Sequence, residues 1–202
     1  MTTFYLVRHG ETVWNKEHRL QGWLDSPLSE MGILHAQKLA EQLKDIPFAV
    51  AYSSTSDRAK ETARYLTAGR TLAIHYEDDL REIFLGNWQG QTIEDIMETN
   101  RFDYELYKNY PAQFVATHTE SFGAVTERAM YTLKNIAKIY PHEHILIVSH
   151  AVTIKCIINA ILGRGIDQLW SAPYIEGTSV TIVDRLEESW HIKVIGSTQH
   201  LQ

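Results

Sequence analysis

The stretch Thr3-Phe4-Tyr5-Leu6-Val7-Arg8-His9-Gly10-Glu11-Thr12 decides how the rest of the chain is read. Its first half is an apolar, β-rich run, which gives way without a spacer to a cation, an imidazole and a glycine. The glycine permits an unusual turn and a close backbone approach, so the end of this strand has the makings of an anion site.

Similar runs at Ala49–Ser53, Thr71–His75 and His144–Val148 read as three further strands. Between them lie helical stripes, one formed by Ile33, Ala36, Ala40 and Leu43 and another by Val125, Ala129, Leu133, Ile136 and Tyr140. Strands alternating with amphipathic helices indicate an α/β three-layer sandwich, a sheet with helices on both faces. After Gly163 the pattern changes to Thr178–Asp184, a polar Glu187-Glu188-Ser189 break and Trp190–Ile195, which reads as a terminal hairpin. The sheet is therefore expected to be mixed but mostly parallel.

Of the 202 residues, 44% are hydrophobic and 22% charged, which excludes a disordered or low-complexity chain. Five prolines and eleven glycines are scattered singly, so no linker, repeat or boundary interrupts one domain over 1–202. The least regular segment, 91–120, carries Phe102, Tyr104, Tyr107, Tyr110 and Phe114 and reads either as a short cap over a site or as a helix packed by its aromatics. Ala151–Leu162 is apolar but short and contains Lys155, a core helix rather than a membrane span.

Nineteen Lys and Arg stand against twenty-five Asp and Glu, a net charge of -6. This balance gives no reason to approach nucleic acid or an anionic membrane, and an anionic ligand would need local basic groups. The lone Cys156 excludes an intramolecular disulfide and reads as core. The first strand begins within three residues of Met1, leaving no room for a signal peptide, so a cytoplasmic location is expected. His142-Glu143-His144 lacks a second cluster at ligand spacing, and no metal site is expected there.

Five polar residues follow the four strands: Arg8 and His9 the first, Arg58 the second, Glu82 the third and His150 the fourth. In open α/β sheets the carboxyl edge is where ligands bind, so these positions are placed to converge.

The order of motifs carries a resemblance. Arg8-His9-Gly10 is followed by Asn15, Gln21-Gly22-Trp23 and Asp25-Ser26-Pro27-Leu28-Ser29-Glu30-Met31-Gly32. Ser53-Ser54-Thr55-Ser56-Asp57-Arg58-Ala59-Lys60-Glu61-Thr62-Ala63 comes next, then Leu80-Arg81-Glu82-Ile83 with Gly86-Asn87-Trp88-Gln89-Gly90, and last Ile147-Val148-Ser149-His150. Over nearly its whole length the chain resembles the histidine phosphatase superfamily, also called phosphoglycerate mutase-like. The resemblance implies that His9 takes a phosphoryl group, that Arg8, Arg58 and His150 hold it, and that Glu82 protonates the leaving oxygen and then activates water. It further implies phosphate contacts from Asn15 and the backbone N–H of Ala151, with Gln21 and Gly22 bordering the pocket. No metal or other cofactor is called for. An acid role at neutral pH requires the phosphate's charge to keep a proton on Glu82 against the pull of the arginines.

Three departures from the family pattern stand out: Ala151 where glycine is usual, Gln89 where glutamate is common, and Thr119-Glu120-Ser121 for the commoner Gly-Glu-Ser. The function implied is a metal-independent phosphatase acting on small phosphomonoesters through a phosphohistidine, with a pocket tolerant of apolar or aromatic esters. The partner expected is that small substrate, and a homodimer is compatible with the sequence. A cofactor-dependent phosphoglycerate mutase is the nearest rival, but family mutases carry a longer cap with paired basic residues, whereas this one has only Arg101 and Lys108, well separated. A non-catalytic phosphate-binding module is the other, and it would be expected to have lost His9 or Glu82.

Overall fold

The computed structural model describes residues 1–171 and 173–202. Six strands, β1 (Thr2–Arg8), β2 (Phe48–Ser54), β3 (Ile74–Glu77), β4 (His144–Ser149), β5 (Val180–Leu186) and β6 (Ser189–Ser197), form one sheet in the order β3-β2-β4-β1-β5-β6. The first four are mutually parallel, and the β5–β6 hairpin adds antiparallel to β1. The helices are α1 (Val13–Lys16), α2 (Glu30–Gln42), α3 (Asp57–Thr67), α4 (Ile93–Thr99), α5 (Arg101–Asn109), α6 (Phe122–Ile139) and α7 (Ala151–Ile161).

Period-two alternation sorts the central strands into two cores. Phe4 and Leu6 of β1 with Ile145 and Ile147 of β4 face α6 and α7, through Leu133, Ile136, Ile154 and Ile157. Tyr5, Val7, Leu146 and Val148 point the other way, onto Leu39 of α2 and Ala59, Ala63 and Leu66 of α3. Both faces are thus covered, the α/β sandwich that the alternating pattern implied, with a mixed sheet. Truncating a side chain at the centre of either layer, such as Leu146→Ala, costs about 2–5 kcal/mol.

Two boundaries differ from the sequence reading. The third strand runs Ile74–Glu77 rather than Thr71–His75, because this edge strand pairs with β2 only over those four residues, and Leu72 packs on the core from the segment before it. In α2 the buried stripe is Gly32, Ala36 and Leu39, with Ile33 and Ala40 only half-buried. The helix is turned because Gly32 must face the chain leaving β1: a Cβ on it would sit 2.1 Å from the Glu11 carbonyl oxygen.

α7 is the core helix its composition indicated, with Val152 to Asn159 buried. Lys155 resolves its charge by donating from Nζ to the carbonyls of Ser171 and Pro173, both at 3.1 Å. Burial pushes the Cys156 thiol up to about 12. Among the described residues no helix is long and apolar enough to cross a membrane, and no cluster of three or more His, Cys, Asp or Glu is arranged to hold a metal ion.

Candidate active site

The register of β1 against β4 pairs Arg8 with Ser149, and the His9 N–H donates to the Ser149 carbonyl at 3.0 Å. The residues that follow, His9 and His150, are thereby placed side by side, with ring centroids 5.1 Å apart. Arg58 enters from the first turn of α3 after β2, and Glu82 from the loop after β3. All four groups lie at the carboxyl edge of the parallel strands.

His9 is 3% exposed, and its Nδ1 lies 2.8 Å from the Gly10 carbonyl oxygen. A carbonyl only accepts, so Nδ1 carries the proton and Nε2 the lone pair. Burial, then Arg58 and Arg8, push the imidazole well below its ordinary value of 6.5, and the Gly10 bond opposes them. The ring is neutral at pH 7, with Nε2 3.3 Å from the Nε–H of Arg58.

Arg58 is 1% exposed and its donors are committed. Nη1 donates to the Leu24 carbonyl (2.8 Å) and Asp25 Oδ1 (2.7 Å), and Nη2 to the Gly22 carbonyl (2.8 Å) and His150 Nδ1 (3.1 Å). Asp25 also accepts from the Asp57 and Arg58 N–H groups, capping α3. Ser56, the residue in the N-cap position, makes no cap bond because its hydroxyl turns to Ser54 and His150.

His150 is fully buried behind Arg58 and lies outside the cleft lining. A guanidinium cannot accept, so Nδ1 is the accepting nitrogen and Nε2–H donates to Ser54 Oγ (2.8 Å) or Ser56 Oγ (3.1 Å). Burial, followed by Arg58, His9, Arg128 and Arg8, pushes its pKa well down. In this geometry both ring nitrogens of His150 are engaged, Nδ1 with Arg58 and Nε2 with the serines, so the donation to a phosphoryl group that the resemblance implied is not prepared here.

The remaining residues surround a cleft of about 240 Å³. Arg8 donates from Nη1 to the Ile175 carbonyl at 2.7 Å, while its buried Nε has no partner among the described residues, a donor that an oxyanion would satisfy. Gln21 likewise has a buried Oε1 without a partner. Asn15 Oδ1 accepts from the Thr12 N–H and Oγ1, both at 3.1 Å, leaving its Nδ2 as the free donating end. Gly22, at φ +53°, presses its Cα against Gln89, so a Cβ there would lie 2.3 Å from Gln89 Oε1. That oxygen also accepts from the Trp23 N–H at 2.8 Å, so the uncharged Gln89 ties two loops.

Glu82 reaches the N-terminus of α7. Its Oε2 accepts from the Val152 N–H at 3.1 Å, and Oε1 from the Thr153 N–H at 3.2 Å and the Ile83 N–H at 3.0 Å. The Ala151 N–H belongs to the same first turn, beyond reach of its own helix's carbonyls. Arg8, His9, Asn15, Gln21, Gly22, Arg58, Glu82 and Ala151 all line the cleft, and of the expected set only His150 does not.

The outer wall answers the question left open about the aromatics. Tyr104 and Tyr107 are buried against Trp88, with centroids at 5.9 and 5.8 Å, and they also line the cleft, so packing and lining coincide. Phe114 packs on Trp88 and Phe122, and Phe102 and Tyr110, 72% and 57% exposed, face away. Sequence reasoning assigned no role to Asp25, Ser54, Ser56, Thr153, Trp170 or Tyr174. Only Asp25 and the serines fell within quoted motifs, and nothing in their spacing marked them.

The family model described as histidine phosphatase superfamily (branch 1) matches residues 4–198. Among solved structures, Bacillus stearothermophilus YhfR superposes with a TM-score of 0.98 at 39% identity, covering 100% of both chains. Phosphoserine phosphatase 1 of Hydrogenobacter thermophilus is 31% identical over 100% of this chain and 95% of its own length. The probable phosphoglycerate mutase GpmB of Shigella boydii is 28% identical over 100% of this chain and 95% of its own. With a family model spanning nearly its full length and a relative this similar across it, the chain belongs to the histidine phosphatase superfamily.

Proposed function

We propose that the chain is a metal-independent phosphatase that hydrolyses small phosphomonoesters through a phosphohistidine on His9. The observation that carries this reading is the His9 geometry: a neutral ring, its proton fixed on Nδ1 by the Gly10 carbonyl, its Nε2 lone pair held among guanidinium groups in a cleft that also contains Glu82. In the first step Nε2 forms a bond to phosphorus, the P–O ester bond breaks, and the leaving oxygen takes a proton from Glu82. In the second, the Glu82 carboxylate takes a proton from water, the resulting hydroxide attacks phosphorus, the P–N bond breaks, and phosphate leaves with His9 regenerated. The scheme uses only this chain's side chains and water.

Arg8 Nε, the Asn15 amide and the Ala151 N–H are the donors for the phosphoryl oxygens, and the Arg58 guanidinium, its own N–H groups already committed, adds its positive charge. A phosphoryl dianion on His9 offsets the guanidinium charge around His150, so that His150 contributes from beneath the cleft through its hydrogen bond with Arg58. Residues 91–120 act as a short cap of the single domain 1–202, its Tyr104 and Tyr107 meeting the organic part of the ester.

The mutase reading has the GpmB relative in its favour. It needs a second cationic site for a carboxylate, and of the two further cations on the cleft wall Arg19 is already bound to Glu17 and the Gly90 carbonyl. Hydrolysis is therefore preferred. The test is phosphate release in EDTA from p-nitrophenyl phosphate and phosphoserine, beside isomerisation of 3-phosphoglycerate with bisphosphoglycerate supplied. Release without isomerisation is expected, and a His9→Ala variant that keeps full activity would sink the reading.

A further inference from the structure

The charged pair Arg128–Glu120 lies outside the cleft lining, yet every bond it makes converges on the loop that carries Glu82. Arg128 Nη1 donates to the carbonyls of Asp79 (2.6 Å) and Arg81 (2.8 Å), and Nη2 to that of Glu82 (3.1 Å). Its Nε and Nη2 also donate to the two carboxylate oxygens of Glu120, at 2.7 and 2.9 Å. All five guanidinium N–H groups are thus used. Glu120 grips the same loop in both directions, its Oε2 accepting from the Phe84 N–H at 3.2 Å and its own N–H donating to the Phe84 carbonyl at 2.7 Å.

Glu82 is consequently fastened at both ends. Its carbonyl accepts from Arg128 and from Trp23 Nε1 at 2.9 Å, and its carboxylate rests on α7. A loop after a four-residue edge strand has few ladder bonds of its own to fix it, and the rigid guanidinium fork supplies that definition where a lysine's rotatable ammonium would not.

We propose that Arg128, oriented by Glu120, is the positioning residue that sets the Glu82 carboxyl at proton-transfer distance from the leaving oxygen. This inference rests on the acid role of Glu82 given above, and the two are separable by leaving-group dependence. An alkyl phosphate needs its leaving oxygen protonated; p-nitrophenolate leaves without help.

The experiment compares Arg128→Lys and Glu120→Gln with Glu82→Gln on glycerol 2-phosphate and p-nitrophenyl phosphate, with thermal melts confirming that each variant is folded. Expected for Arg128→Lys and Glu120→Gln is a fall of about tenfold in kcat/KM on the alkyl ester with less than about twofold change in kcat/KM on the nitrophenyl ester, because kcat/KM reports the phosphoryl-transfer step and not the later attack of water that Glu82 also assists on every ester. Glu82→Gln should show the same selectivity with a larger fall. Equal losses on both esters, or none, while Glu82→Gln is selective, would overturn the positioning role alone. If Glu82→Gln is itself unselective, the acid assignment fails and the inference with it.

Discussion

The floor and the outer wall of the cleft are built by different rules. On the floor Arg8, His9 and Arg58, and just beneath it His150, are 9%, 3%, 1% and 0% exposed, and each is fixed by hydrogen bonds from side chain to backbone or from one member to the next. The wall of α4 and α5 meets the cleft through Tyr104 and Tyr107, which are held by aromatic packing on Trp88, Phe122 and Trp170. Directional bonds define positions to a fraction of an ångström, whereas aromatic stacking tolerates substitution and small shifts. On the proposed mechanism the chemistry and the choice of substrate would therefore sit on separable parts of the molecule.

That separation breaks most severely at Arg58. Arg58→Ala should lower kcat/KM by about 10²–10³-fold on every phosphoester, since it removes charge stabilisation irrespective of the leaving group. Steady-state assays over an ester panel check this, and a loss confined to some esters would show that the floor also selects substrate. Asp25→Asn keeps the volume but removes the charge that orients the fork. We expect about a tenfold drop in kcat and a loss of about 1–3 kcal/mol in stability by urea unfolding.

The buried histidines predict a pH signature of the floor alone. His9 and His150 are held below 6.5 when folded and return to it when unfolded, so the unfolded chain binds more protons in the window below 6.5. Their contribution to stability is complete above that value and is lost as pH falls through the window beneath it. Urea midpoints should decline on acidification from neutrality, and a His150→Asn variant should show a shallower decline.

On the wall, Tyr107→Leu is expected to change the ratio of kcat/KM for aromatic over aliphatic phosphoesters by about three- to tenfold while leaving the phosphohistidine step intact. Trapping the phosphoenzyme after a millisecond pulse measures that step. The smallest effect belongs to Phe102, whose ring faces solvent: Phe102→Ser should stay within about 0.5 kcal/mol of the parent and leave every ester ratio unchanged.

The same division governs what could be read from sequence. The floor was legible because strand ends are legible: an apolar run stopping at Arg8-His9-Gly10, and another stopping at His150, place side chains at one sheet edge whatever the loops do. Ser54, Ser56 and Asp25 were not, since small polar residues at a helix start usually serve as caps. Only the fold shows Asp25 taking over the cap of α3 and freeing Ser56 for His150. The His150 tautomer was also hidden, because it depends on which donor faces each nitrogen. On the wall, periodicity put Tyr104 and Tyr107 on one face and could not choose between packing and lining, and the structure has them do both. The edge strand β3 was misplaced because four residues with one partner strand leave too little alternation to date its start.

The pairing of Arg8 with Ser149 also bears on how the protein acquires activity during refolding. The two histidines come from residues 9 and 150, and no local segment contains both. They meet only when β1 closes against β4 across most of the chain, a slow, entropically costly contact that earlier local helices do not supply. Refolding monitored by far-ultraviolet circular dichroism should therefore run ahead of the recovery of turnover, and the lag between the two would time the zipping of the central strands.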